Sequence, residues 1–126
     1  MKDFPEVVKS PLNRIARASQ HTKNVEGYVF DGQDGSQAAF CICRKARKSE
    51  EHAHDYEEYM LIVEGEYTLI VEGRKVPLAA GQEYLIAKGA KHSGECAAGT
   101  RTIHVFGGKR AEREKDTDHL SGHHQD

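Results

Sequence analysis

A chain of 126 residues has room for one domain with a real core but not comfortably for two. Basic and acidic residues nearly cancel, for a formal net charge of -2, and no basic stripe emerges that would suit a nucleic-acid backbone. No apolar run approaches the roughly 20 residues that span a bilayer, and no apolar signal segment follows Met1-Lys-Asp-Phe-Pro-Glu6. The expected protein binds neither nucleic acid nor membrane and is cytoplasmic.

In chain order, residues 1–24 carry Phe4-Pro-Glu-Val-Val8 and Ser10-Pro11 without lasting periodicity. They read as an extended N-terminal arm able to add to a sheet edge, in this subunit or a neighbour. From Val25 the sequence alternates strands and turns. Gly27-Tyr-Val-Phe30 runs into the turn-forming Asp31-Gly-Gln-Asp-Gly35, then Ala38-Ala-Phe-Cys-Ile-Cys-Arg44. The basic run Arg44-Lys-Ala-Arg-Lys48 lies beside Glu50 and Glu51 and reads as a solvated strand end. Three cysteines are an odd count, which argues against a disulfide framework. Cys41 and Cys43 fall on one face of one strand, unsuited to bridging each other, and read as small buried apolar residues.

The pentapeptide Leu-Ile-Val-Glu-Gly occurs at residues 61–65 and again at 69–73. That spacing predicts successive antiparallel strands with Glu-Gly turns. Lys75-Val-Pro-Leu78 is a short strand whose Pro77 suits an edge. Gly81 precedes a strand at Glu83-Tyr-Leu-Ile-Ala87, Gly89 precedes His92, and Thr100–Phe106 is the last clear strand. Only the polar Lys109–Lys115 region has a helical pattern. Short strands at this spacing make an all-β barrel or sandwich over 25–110. Residues 111–126 form a polar tail, disordered by composition; its His119, His123 and His124 read as solvated.

The chemistry sits at His52, His54, Glu58 and His92. Two residues apart on a strand, His52 and His54 point their imidazoles to one face. Glu58 follows at the start of the next apolar strand, and His92 comes after the hairpin, just past Gly89. Three imidazoles and a carboxylate form a nitrogen/oxygen set suited to Fe, Mn, Ni, Cu or Zn. Alone, His52-Ala-His54 reads more readily as an exposed polar pair beside Glu50, Glu51 and Asp55 than as a site.

With its neighbours, the sequence resembles the cupin superfamily. The first cupin motif, His-x-His, three residues, Glu, six residues, Gly, is matched without a gap by His52, His54, Glu58 and Gly65. The second, Gly, five residues, Pro-x-Gly, two residues, His, three residues, Asn, is matched by Gly81, Gly89 and His92. Ala46, Ala87 and Cys96 replace the glycine that often opens the first motif, the proline and the final asparagine; none of these is a ligand position. The 15 residues between Gly65 and Gly81 are the short spacer of small microbial cupins.

The resemblance implies an antiparallel β-barrel (a double-stranded β-helix, or jelly roll) and usually a homodimer. One divalent transition metal (Fe, Mn, Ni or Zn) would be held inside the barrel mouth by His52, His54, Glu58 and His92. Thiol dioxygenases among cupins typically lack the glutamate ligand, so Glu58 counts against that chemistry. Quercetinase-type dioxygenases, oxalate-degrading enzymes and isomerases share this ligand set. Small cupins that open unsaturated uronate sugars carry Asp-x-Phe-x-x-x-Arg on the last strand. This chain has His104, Phe106 and Arg110 there, which makes His104 a candidate acid/base and Phe106 and Arg110 candidate substrate contacts. A histidine satisfied within the barrel wall and an ordinary surface arginine are the competing readings; Tyr56 and Glu57 are not read as catalytic. Two functions stay open: a metal-dependent enzyme on a small organic acid, sugar acid or phenolic compound, and a non-catalytic module that binds or senses a small ligand.

Overall fold

The computed structural model describes residues 3–16 and 25–114. Nine strands follow a short 3-10 turn at Pro11–Asn13: β1 (Val25–Asp31), β2 (Gln37–Cys43), β3 (Arg47–Lys48), β4 (Glu58–Glu64), β5 (Glu66–Val71), β6 (Arg74–Ala79), β7 (Glu83–Ile86), β8 (His92–Cys96) and β9 (Arg101–Phe106). They form two sheets, a five-stranded one ordered β1-β2-β9-β4-β7 and a four-stranded one ordered β3-β8-β5-β6. Every pairing is antiparallel. The architecture is the all-β jelly-roll barrel that the sequence predicts.

Alternation along β4 and β5 explains the core. Met60 and Ile62 on β4 and Leu69 and Val71 on β5 turn inward, where they meet Leu78 and Ile86. Each buried side chain of this size contributes roughly 1.5–3 kcal/mol. A second cluster joins Ile15, Val29, Ala39, Phe106 and Ala111.

The β4–β5 turn depends on Gly65, whose φ is 89°. A Cβ there would also lie 2.7 Å from the Cα of Thr100, so both backbone conformation and space demand glycine. Gly65→Ala is expected to lower unfolding free energy by more than about 1 kcal/mol in urea titration. An unchanged midpoint would show that the turn tolerates a side chain.

Several details depart from the sequence reading. β3 and β8 were not expected as strands: Gly94 interrupts His92–Cys96, and the ladder to β5 supplies the order that local propensity lacks. Residues 109–113 are not helical, because two long-range attachments hold them extended. Gln37 bonds the backbone at Arg110 and Ala111, and Arg113 forms a β-bridge with Ile15. Arg14 in turn bridges Tyr28 of β1, so this part of the arm lies against its own chain. The tail histidines lie outside the described residues. Among the described residues, no helix is long and apolar enough to cross a membrane.

The cysteines also differ. Cys43 is bonded to Cys96 as a disulfide across 53 residues, which corrects its reading as a small apolar residue. Cys43 lies on β2 of the five-stranded sheet and Cys96 on β8 of the four-stranded one, so the bond joins the two sheets, which spacing could not reveal. Cys41 is free, and burial pushes its thiol pKa up to about 12, so it is inert as a nucleophile.

Candidate metal centre

His52 and His92 meet through an isolated β-bridge, each backbone N–H donating to the other's carbonyl, at 2.9 and 2.8 Å. This crosslink brings the two sequence motifs together. The Gly89 N–H donates to the carbonyl of His54 at 2.8 Å, fastening the second motif's turn to the first. One ligand nitrogen from each of His52, His54 and His92 lies within 4.8 Å of the others. Their rings are 4.3 to 5.1 Å apart, centroid to centroid.

The tautomers are set by backbone carbonyls. His52 Nδ1 faces the Glu50 carbonyl at 2.8 Å, and His92 Nδ1 faces that of Ala90 at 3.0 Å. With the proton on Nδ1, each ring presents its Nε2 lone pair to the cluster. His54 is steadied by Tyr56, whose ring stacks on it at 4.8 Å and 7°. The Tyr56 ring in turn occupies the space above Gly108, where a Cβ would come within 2.5 Å of it.

Glu58 enters from β4. Its Oε1 lies 3.3 Å from His54 Nε2 and 3.4 Å from His92 Nε2. Neither contact has hydrogen-bond geometry, and both ring nitrogens are buried without a partner. Two buried, unpartnered imidazole nitrogens beside a carboxylate oxygen cost free energy unless something binds them. A metal cation satisfies all three at once, so the residues present fit one.

The other carboxylate oxygen, Oε2, accepts from His104 Nδ1 at 2.8 Å, and His104 Nε2 faces the Thr102 hydroxyl at 2.8 Å. Burial opposes the Glu58 charge, but the hydrogen bond from His104 and the neighbouring His54 and His92 imidazoles outweigh it and hold the carboxyl well below its usual range. Burial likewise opposes the charged form of His92; Glu58 and the Ala90 carbonyl outweigh it and raise that pKa.

A cavity of about 120 Å³ opens between the sheets beside this cluster. Its walls include His52, His92, His104, Phe106, Arg110 and the apolar Ile15. Phe106 lies parallel to His104 with ring centroids 5.8 Å apart, and the Arg110 guanidinium sits 5.9 Å from the centre of the Phe106 ring. Five of the seven residues singled out from sequence line this space, and the other two, His54 and Glu58, adjoin His92 and His104 at its edge. Sequence reading missed Gln37, which fixes the backbone of Arg110, and Tyr67, which lines the cavity from β5. The inward parity of Tyr67 with Leu69 and Val71 was the available signal.

The structure is thus a small jelly roll with a histidine cluster, His52, His54 and His92, beside an internal cavity. The chain belongs to the cupin family: the cupin domain model matches residues 40–106. No curated protein matches the sequence. Among solved structures it is similar to the polyketide cyclase RemF from Streptomyces resistomycificus, with TM-score 0.66, 17% identity, and 90% of this chain and 85% of that one covered. It is also similar to KdgF from a Halomonas species, with TM-score 0.61, 14% identity, and coverage of 82% and 96%. A predicted oxalate decarboxylase from Thermotoga maritima matches with TM-score 0.62 and 22% identity over 74% and 88%. At these identities the likeness is one of fold.

Proposed function

We propose that the protein is a metal-dependent enzyme acting on a small organic acid, with His52, His54, Glu58 and His92 as metal ligands. The observation that carries this reading is the pair of buried, unpartnered nitrogens on His54 and His92, aimed at a carboxylate beside a cavity. A bound divalent metal supplies Lewis acidity toward a substrate oxygen.

The chain's own residues supply the rest. Arg110 offers a guanidinium to a substrate carboxylate, and Phe106 forms the apolar floor between it and the histidines. His104 holds Glu58 in place through Nδ1, and its Nε2, beside the Thr102 hydroxyl, serves as the acid/base group on the cavity wall. This positioned imidazole favours isomerase or lyase chemistry, in which a proton moves, over a dioxygenase. Similarity to a polyketide cyclase and a predicted oxalate decarboxylase supports an enzymatic use of the same fold.

The outer face of the five-stranded sheet supports a homodimer. Register aligns Ala38, Val105, Tyr59 and Leu85 in one row, and Leu85 and Val105 are 57% and 41% exposed. An exposed apolar row of this kind suits a second copy.

His54→Ala tests the enzymatic reading. It is expected to keep the wild-type melting curve while losing turnover of any active member of a panel of oxo, hydroxy and uronic acids followed by proton NMR. A ligand that binds wild type tightly and emerges unchanged would instead establish a binding or sensing module.

A further inference from the structure

Three hydroxyls in the cavity wall are already engaged within the protein. Ser49 Oγ bonds the backbone of Gly94, Thr100 Oγ1 that of Glu66, and Thr102 Oγ1 faces His104. Tyr67 differs. Its ring packs on the core cluster from β5, its side chain lines the cavity, and its hydroxyl makes no hydrogen bond among the described residues.

Where that hydroxyl lies is set by β8. A Cβ on Gly94 would land on the Tyr67 phenol oxygen, so the bare strand position is the seat of the hydroxyl. His92, Gly94 and Cys96 alternate along β8 and share its inward face. The phenol oxygen is therefore placed two residues along the strand from His92, roughly 7 Å of strand rise. Both groups open on the same cavity.

We infer that Tyr67 is a substrate-binding residue, donating its hydroxyl to an acceptor oxygen of a compact oxo acid held between the histidine cluster and Arg110, with Gly94 kept bare to admit it. The inference rests on the proposed organic-acid site and adds the oxygen that selects the acid. Burial first, then the charge of Glu58, raises the phenol's pKa, so it stays protonated and acts as a donor. The mostly apolar remainder of the cavity, with the Ser49, Thr100 and Thr102 hydroxyls engaged, favours a compact oxo acid over a polyhydroxylated sugar acid.

Calorimetric titration of the Ni(II)-loaded protein with pyruvate and with 2-methylpropanoate, which replaces the oxo oxygen by a methyl group, tests this. Wild type should bind pyruvate more tightly. Tyr67→Phe should weaken pyruvate about tenfold, leave 2-methylpropanoate unchanged and keep the wild-type melting temperature. Equal pyruvate binding by variant and wild type, or equal binding of the two acids by wild type, overturns the role of Tyr67 while the acid site stands. A lowered melting temperature in Tyr67→Phe makes the hydroxyl structural and also overturns it. If neither acid binds metal-loaded wild type, the organic-acid reading fails, and this inference with it.

Discussion

Purified without an affinity tag, the wild-type protein is expected to carry about one metal ion per chain, and His52→Ala/His92→Ala to carry none. These two residues are the bridge between the motifs and contribute two of the three clustered imidazoles. Loss of a hydrogen-bonding residue behind a ligand typically costs 10–100-fold in metal affinity, so removal of two ligands should exceed roughly 100-fold. Elemental analysis of both proteins decides the matter. The variant retains His119, His123 and His124, so metal that stays bound to it would lie elsewhere and would sink the proposed centre. The ion found also directs the chemistry: iron toward dioxygen, zinc toward Lewis-acid work, and manganese or nickel toward either oxidase or isomerase reactions.

Gln37→Ala should be the most destabilising polar substitution in the chain. Gln37 is 2% exposed and satisfies four partners. Its Oε1 accepts from the N–H groups of Arg110 and Ala111 at 2.7 and 2.9 Å; its Nε2 donates to the Ala111 carbonyl at 3.1 Å and to Asp31 at 2.9 Å. Alanine leaves buried backbone groups unsatisfied, each costing about 1–3 kcal/mol, so a loss of about 3 kcal/mol is expected after partial relaxation. Equilibrium unfolding in urea measures it, and a change below about 1 kcal/mol would show that water replaces the side chain. Because Gln37 also fixes the backbone of Arg110, the same variant should weaken acid binding even where it remains folded.

The histidine cluster was legible in sequence because the two motifs that carry it resemble those of cupins, although the strand expected at His52 and His54 is only an isolated bridge at His52. Gly65 and Gly89 mark turns by composition, and the shared parity of Thr102, His104 and Phe106 follows from the last strand's period. What those residues touch was not legible. That His104 bonds Glu58 depends on the register of β9 against β4, which places Met60 opposite His104 and brings Glu58 opposite Phe106. The Cys43–Cys96 disulfide and the Gln37 attachment were hidden for a similar reason: partners separated by 53 and by more than 70 residues meet only in the packed fold, on which periodicity is silent. The helical pattern over Lys109–Lys115 misled for a related reason. Its local preference is overridden by buried hydrogen bonds and a β-bridge.

β8 begins at His92, clasped to His52, and ends at Cys96, covalently tied to Cys43. It thus behaves as a beam anchored at both ends, and the wall it forms has little freedom to accommodate a guest. The segment from Gly107 to Ala111 is held by noncovalent bonds, among them the Gly107 N–H to the Glu57 carbonyl and the Gln37 amide. A guest that needs more room would therefore meet a covalently tied wall at β8 and one without a covalent tie at Arg110.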